Sequence, residues 1–103
     1  MVTVQHRRRD TVFRAIADPT RREILRLLRS DRLTVGQIAA NFRSSRPAIS
    51  KHLRLLRSAG LVASHKDGTS SVCSLNAEPL RTVNNRLQDY QEFWGESLRN
   101  LKR

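Results

Sequence analysis

The sequence predicts a mainly α-helical fold with one small β-hairpin, in the order α-α-α-α-β-β-α. Three observations lead there. Apolar residues recur at helical spacing in five separate stretches. Asp67-Gly68 stands between two short runs of β character, a strong local hairpin signal. Punctuating residues (Asp18-Pro19, Gly60, Pro79) fall between these stretches rather than inside them. With 103 residues, the chain suffices for one domain, 1–103, with a modest core.

The first helix is expected over Arg8–Ala17, with Val12, Phe13, Ile16 and Ala17 on one face. Its Arg7, Arg8 and Arg9 read as a solvated terminal charge run. Asp18 is a good N-cap and Pro19 suits a first helical position, so a second helix runs from Pro19 to about Ser30. Ile24, Leu25, Leu27 and Leu28 mark it as a central core helix, and Arg21, Arg22, Arg26 and Arg29 read as solubilising. A short third helix is expected over Leu33–Phe42, capped by Thr34, with Val35, Ile38, Ala39 and Phe42 at helical period.

Arg43, Ser44 and Ser45 then lead into a basic fourth helix, about 45–59. Ile49, Leu53 and Leu56 form its buried stripe; Arg46, Pro47, Ser50, Lys51, Arg54 and Arg57 fall mostly on the other side. Ser44 or Ser45 caps it and Gly60 stops it. Two short helices joined by a tight turn, the second basic, form a helix-turn-helix, whose second helix is shaped for a DNA major groove. The hairpin, about 61–75, is then a wing, its His65, Lys66, Thr69 and Ser70 placed to touch phosphate. The final helix, about 79–101, spaces Leu80, Val83, Leu87, Tyr90, Trp94, Leu98 and Leu101 by three and four, close to a heptad seam. The chain's single Trp and Tyr lie on that stripe, which a small core cannot hide, so it is expected to pair two copies together with Phe13 of the first helix. Gly95 weakens this helix by about 1 kcal/mol and leaves room for a partner's close approach.

Charge points the same way. Lys plus Arg number 20 against 9 Asp plus Glu, a net charge of +11, which calls for a polyanionic partner. The excess is central: Arg43 to Lys66 holds six cations, and Asp67 is the first acid after them. No apolar run approaches the roughly 18 residues of a membrane span, and no apolar stretch follows the basic N-terminus as in a secretory signal. Cys73 is the single cysteine, which excludes an intrachain disulfide and fits a cytoplasmic location. No nucleophile–base pair, phosphate-cradling loop or carboxylate pair assembles with catalytic spacing, so an enzyme is not expected. Ser50 and His52 face different sides of their helix.

Four motifs carry a resemblance: ADPTRREILRLL (Ala17–Leu28), LTVGQIA (Leu33–Ala39), SRPAISKHLRLLRSAGLV (Ser45–Val62), and the Asp-Gly wing ending in SLN (Ser74–Asn76). Over roughly residues 8–101 the chain resembles the ArsR/SmtB family of bacterial winged helix-turn-helix repressors. The resemblance implies a homodimer on a palindromic double-stranded operator, its recognition helices about 34 Å apart. Many members sense metal, but their ligands do not carry over. The third helix has Thr34-Val35-Gly36-Gln37 where one family site has Cys-x-Cys. Asp89 is followed by Tyr90 and Gln91 where another has Asp-x-His, and no histidine follows His65. No cofactor is therefore expected, and the effector is unknown. The wing also lacks the commoner Arg-rich form.

The expected function is a sequence-specific, dimeric DNA-binding repressor. Arg46, Ser50 and Lys51 probe base edges; Ser44, Arg54 and Lys66 sit on phosphates, with Ser45, Pro47, His65 and Thr69 around them. The alternatives are a non-specific nucleic-acid-binding protein, a metal-independent redox or ligand sensor of the same family, and a module whose last helix binds another protein.

Overall fold

A computed structural model describes the backbone of residues 4–101, with side chains at 10–97 and 99. Among the described residues there are five helices, α1 (Val4–Ile16), α2 (Pro19–Leu28), α3 (Val35–Ala39), α4 (Arg46–Ser58) and α5 (Leu80–Leu101), and a sheet of β1 (Leu33–Thr34), β2 (Val62–Asp67) and β3 (Ser70–Leu75) on which α2, α3 and α4 pack. The mainly helical class and the hairpin are those expected; β1, between α2 and α3, is an addition to the expected order. The side chains of Arg7, Arg8, Arg9, Leu98 and Leu101 lie outside the described residues.

Several boundaries differ from the sequence reading: α1 begins at Val4 rather than Arg8, and α2 ends at Leu28 rather than near Ser30. The expected Leu33–Phe42 helix is shorter, and Leu33 and Thr34 instead pair with Cys73 and Val72 as an edge strand, giving the antiparallel order β1-β3-β2. Thr34 closes the strand and caps the helix at once. Its hydroxyl accepts the Gln37 N–H (3.1 Å) while the Gln37 side-chain oxygen accepts the Thr34 N–H (2.8 Å), a reciprocal capping box. That cap fixes where α3 begins, and so releases Leu33 to the sheet. The hairpin loop is Gly68-Thr69, between the paired Asp67 and Ser70. Gly68 takes φ +64° at the first central position, the requirement of a type II′ turn.

The core is aliphatic. Val12 and Ala15 of α1, Ile24 and Leu28 of α2, Ile38 of α3, Ile49, Leu53 and Leu56 of α4, then Ala59, Leu61, Val62 and Cys73 form one buried cluster. α1, α2 and α4 each contribute residues three, four or seven apart, so their stripes meet the core along one face. α4 ends in a Schellman motif: Gly60 N–H donates to the Arg57 carbonyl (2.9 Å) and Leu61 N–H to that of Leu56 (3.0 Å). Gly60 sits at φ +77° to allow it. Asn76, leaving the hairpin, donates from its amide side chain to the Gly60 carbonyl (2.8 Å) and from its backbone to the Leu61 carbonyl (2.8 Å). The end of the recognition helix and the base of the wing are thereby tied together.

Candidate nucleic-acid interface

α4 is seated by its back. Ser45, rather than Ser44, is the cap, its Oγ accepting the Ala48 N–H at 3.3 Å. Ile49, Leu53 and Leu56 are fully buried, so Pro47, Lys51 and Arg54 must face outward, and they are exposed. Ser50 is half-buried on the edge of that face. Arg46 is exposed on the flank towards α3: its guanidinium lies over Gly36, where an added Cβ would meet it at 3.8 Å. Glycine there gives the arginine a flat backbone surface to lie on. The exposed face also includes Leu55, 42% exposed, and Ser58, whose hydroxyl donates to the Arg54 carbonyl at 3.0 Å. Sequence reasoning passed over Leu55, though its helical phase between Lys51 and Ser58 put it on that side.

The hairpin leaves the core at buried Val62 and carries His65, Lys66 and Thr69 outward, all exposed. Lys66 pairs with Ser71 and His65 with Val72 in the β2–β3 register. Ser64 and Ser71 hydroxyls meet across the strands at 3.1 Å. Among the described residues the ion pairs are Arg26–Glu23, Arg81–Glu78, Arg86–Asp89 and His52–Asp18. None of them engages Arg46, Lys51, Arg54, Arg57 or Lys66. The cations of α4 and the wing are thus left available to an external anion.

Arg21 and Arg22 are not the solubilising residues the sequence reading made them. Both cap the preceding helix. Arg21 donates from Nε to the Ala15 carbonyl (2.7 Å) and from Nη2 to that of Arg14 (2.9 Å); Arg22 Nη1 donates to the carbonyls of Ile16 and Ala17 (3.0 Å each). These are the orphan acceptors of a helix end, and cations suit that negative pole. Asp18 caps the next helix, accepting the Arg21 N–H at 3.0 Å. That donated N–H holds the Asp18 carboxyl below the usual carboxylate range. Coulombic attraction to Arg21 and His52 adds to it, and partial burial works against it. His52 of α4 is held by Arg21 at 3.1 Å.

The expected dimerisation residues divide. Leu80 and Val83 are half-buried and pack against the chain's own core. Leu87 (54% exposed), Tyr90 (59%) and Trp94 (59%) do not. Phe93, which the heptad reading skipped, joins them at 71% exposure, its ring centroid 6.5 Å from that of Tyr90. Its signal was the three-residue step from Tyr90. Phe13 is half-buried on α1, which packs alongside α5. Gly95 has open space around its Cα. Cys73 is fully buried, its Sγ 3.8 Å from the Ser64 hydroxyl. Among the described residues no three His, Cys, Asp or Glu side chains gather as a metal site, and no helix is long and apolar enough to cross a membrane.

A helix-turn-helix with an exposed basic second helix, followed by a two-stranded wing, defines a winged helix-turn-helix DNA-binding regulator of transcription. Within that class, the chain belongs to the arsR family of bacterial regulatory proteins, whose family-wide sequence profile matches residues 18–64. It is 44% identical over 72 residues to the transcriptional repressor SdpR of Bacillus subtilis, covering 70% of this chain and 80% of that protein. It is 37% identical over 93 residues to the HTH-type transcriptional regulator Rv2034 of Mycobacterium tuberculosis, covering 90% and 84%. An ArsR-like transcriptional regulator from Rhodococcus sp. RHA1 superposes with a TM-score of 0.79 at 30% identity, covering 99% and 94%.

Proposed function

We propose that the protein is a homodimeric repressor that occupies a palindromic operator, one winged-helix domain (1–103) per copy. The observation that carries this is the seating of α4. Its apolar side is wholly consumed by the core, which leaves Pro47, Lys51 and Arg54 outward with no acid on the helix. Arg46, Ser50 and Lys51 read base edges from the first two turns. Arg54, Lys66 and Ser44 meet phosphates, and Ser45, Pro47, His65 and Thr69 line the same surface. The Ser45 hydroxyl spends a lone pair on its cap, so its proton remains for a phosphate oxygen. Repression follows from occupancy: a bound dimer excludes polymerase from the promoter. The function needs no metal or other cofactor, and no catalytic step.

The homodimer rests on the apolar stripe of α5, and the similarity to SdpR, itself named a repressor, supports the repressor role. Selection of bound duplex from a random pool tests the reading. The selected sequence should be an inverted repeat, bound at least ~10³-fold more tightly than random duplex at physiological salt. Equal affinity for both would leave a non-specific nucleic-acid binder instead.

A further inference from the structure

Arg21 links the α1–α2 corner to the recognition helix through His52, and a carboxylate stands close to the same ring nitrogen. Arg21 holds the C-terminal end of α1 through the Arg14 and Ala15 carbonyls, and reaches His52 of α4 with Nη1, 3.1 Å from Nδ1. A guanidinium only donates, so Nδ1 is the acceptor and the ring proton sits on Nε2. The Asp18 Oδ2 atom is 3.9 Å from the same nitrogen. The His52 and Asp18 side chains are 24% and 32% exposed, so both are partly shielded from water.

We propose that Arg21 is the positioning residue of the recognition helix, and that protonation of His52 exchanges its partner from Arg21 to Asp18. An imidazolium has a donor on both nitrogens. It cannot accept from Arg21, it repels that guanidinium, and its new Nδ1–H points to the carboxylate. Asp18 is also the N-cap of α2 through the Arg21 N–H, so the exchange pulls on the start of α2 and the end of α1 together. α4 then loses its polar tie to the helix that packs along α5. In a dimer, this tie helps to set the spacing of the two recognition helices.

Among the described residues, no charged side chain other than Arg21 and Asp18 is bonded to or paired with His52. α3 carries no titratable side chain, and those of β2 (His65, Lys66, Asp67) lie three to five residues along the strand from Val62. Asp10 and Arg14 of α1 are exposed; on α2, Arg22 is committed to carbonyls and Glu23 to Arg26.

This inference rests on the repressor reading for its consequence, but its first test needs no DNA. Nitrogen-15 NMR of the ring at pH 8 should show His52 protonated on Nε2 with a bare Nδ1. A proton on Nδ1 would overturn the exchange outright. The second test measures the ratio of affinities for selected and random duplex at pH 8 and at pH 6. Using the ratio cancels the general gain in phosphate attraction at low pH. In the native protein the ratio should fall about tenfold, the scale of one charge-assisted hydrogen bond. His52→Asn, which keeps an acceptor and cannot titrate, should hold the ratio flat. His52→Leu should give a low ratio at both pH values. Equal pH slopes in the native protein and His52→Asn would remove His52 from the mechanism, whereas failure to select any sequence would fault the repressor reading alone.

Discussion

Asp18, Arg21 and Arg22 close one helix and open the next within a single turn of chain. The carboxylate starts α2, and the two guanidinium groups finish α1. Because the folded Asp18 carboxyl lies below its ordinary value, the ionised form stabilises the fold. That contribution is complete above the usual carboxylate pKa of about 3.9 and is lost as pH falls through the lower folded value. Asp18→Asn keeps a capping oxygen without a charge, so it should flatten the acid limb of a stability–pH curve. Asp18→Ala should cost about 1 kcal/mol at neutral pH, read by urea titration. A steep acid limb retained in Asp18→Asn would place that dependence elsewhere. The same scale separates reading from gripping. Arg46→Ala should cost about 1–3 kcal/mol on the selected operator and relax preference at one base position. Lys66→Ala should weaken all sequences alike and reduce the slope of log affinity against log salt by about 1. Arg46 rests on Gly36 and Lys66 stands on an exposed strand, so neither change disturbs the core.

At the scale of elements, α4 is held in place at both ends and along its back. Its stop is a Schellman turn at Gly60, where φ is +77° and an added Cβ would lie 3.5 Å from Pro79, an ordinary contact. The cost of Gly60→Ala is therefore conformational, about 1–2 kcal/mol, and not one of crowding. Thermal melts should show it, and binding should weaken further because Asn76 hangs the wing from the Gly60 carbonyl. An unchanged melting temperature would mean the turn relaxes without a left-handed residue. α4 and its stop were legible because each end has a residue type with few other uses, and its stripe is long. α3 was less so. Val35, Ile38, Ala39 and Phe42 suggest a longer helix, but the capping box at Thr34 and Gln37 begins it later, and Leu33 finds a strand partner 40 residues away. A partner so distant leaves no local pattern. The Arg21 cap was illegible for the same reason, since charge alone does not say which carbonyls a guanidinium will find.

The whole molecule is asymmetric in what it hides. The cluster from α1 to β3 closes over Ile24, Ile38, Ile49 and Leu53 completely, yet α5 runs on past Val83 with Leu87, Tyr90, Phe93 and Trp94 each more than half exposed. Contiguous apolar surface on one helix face is the mark of an interface in a soluble protein. Aromatic side chains bury the most area per residue, so Tyr90, Phe93 and Trp94 are the natural anchors. The exposed stripe begins where the intramolecular packing stops: Leu80 and Val83 pack on the chain's own core, and in the proposed homodimer the residues beyond them form the seam. Substituting Tyr90→Asn and Trp94→Asn together should therefore leave far-ultraviolet circular dichroism and the core intact while sedimentation shifts from dimer to monomer. Operator affinity should then drop by about 10²–10⁴, the gain that linkage of two half-sites confers, while binding to an isolated half-site stays level. A dimer that survives the double change at micromolar concentration would move the interface off α5. An operator affinity that survives monomerisation would mean that one copy reads the site alone.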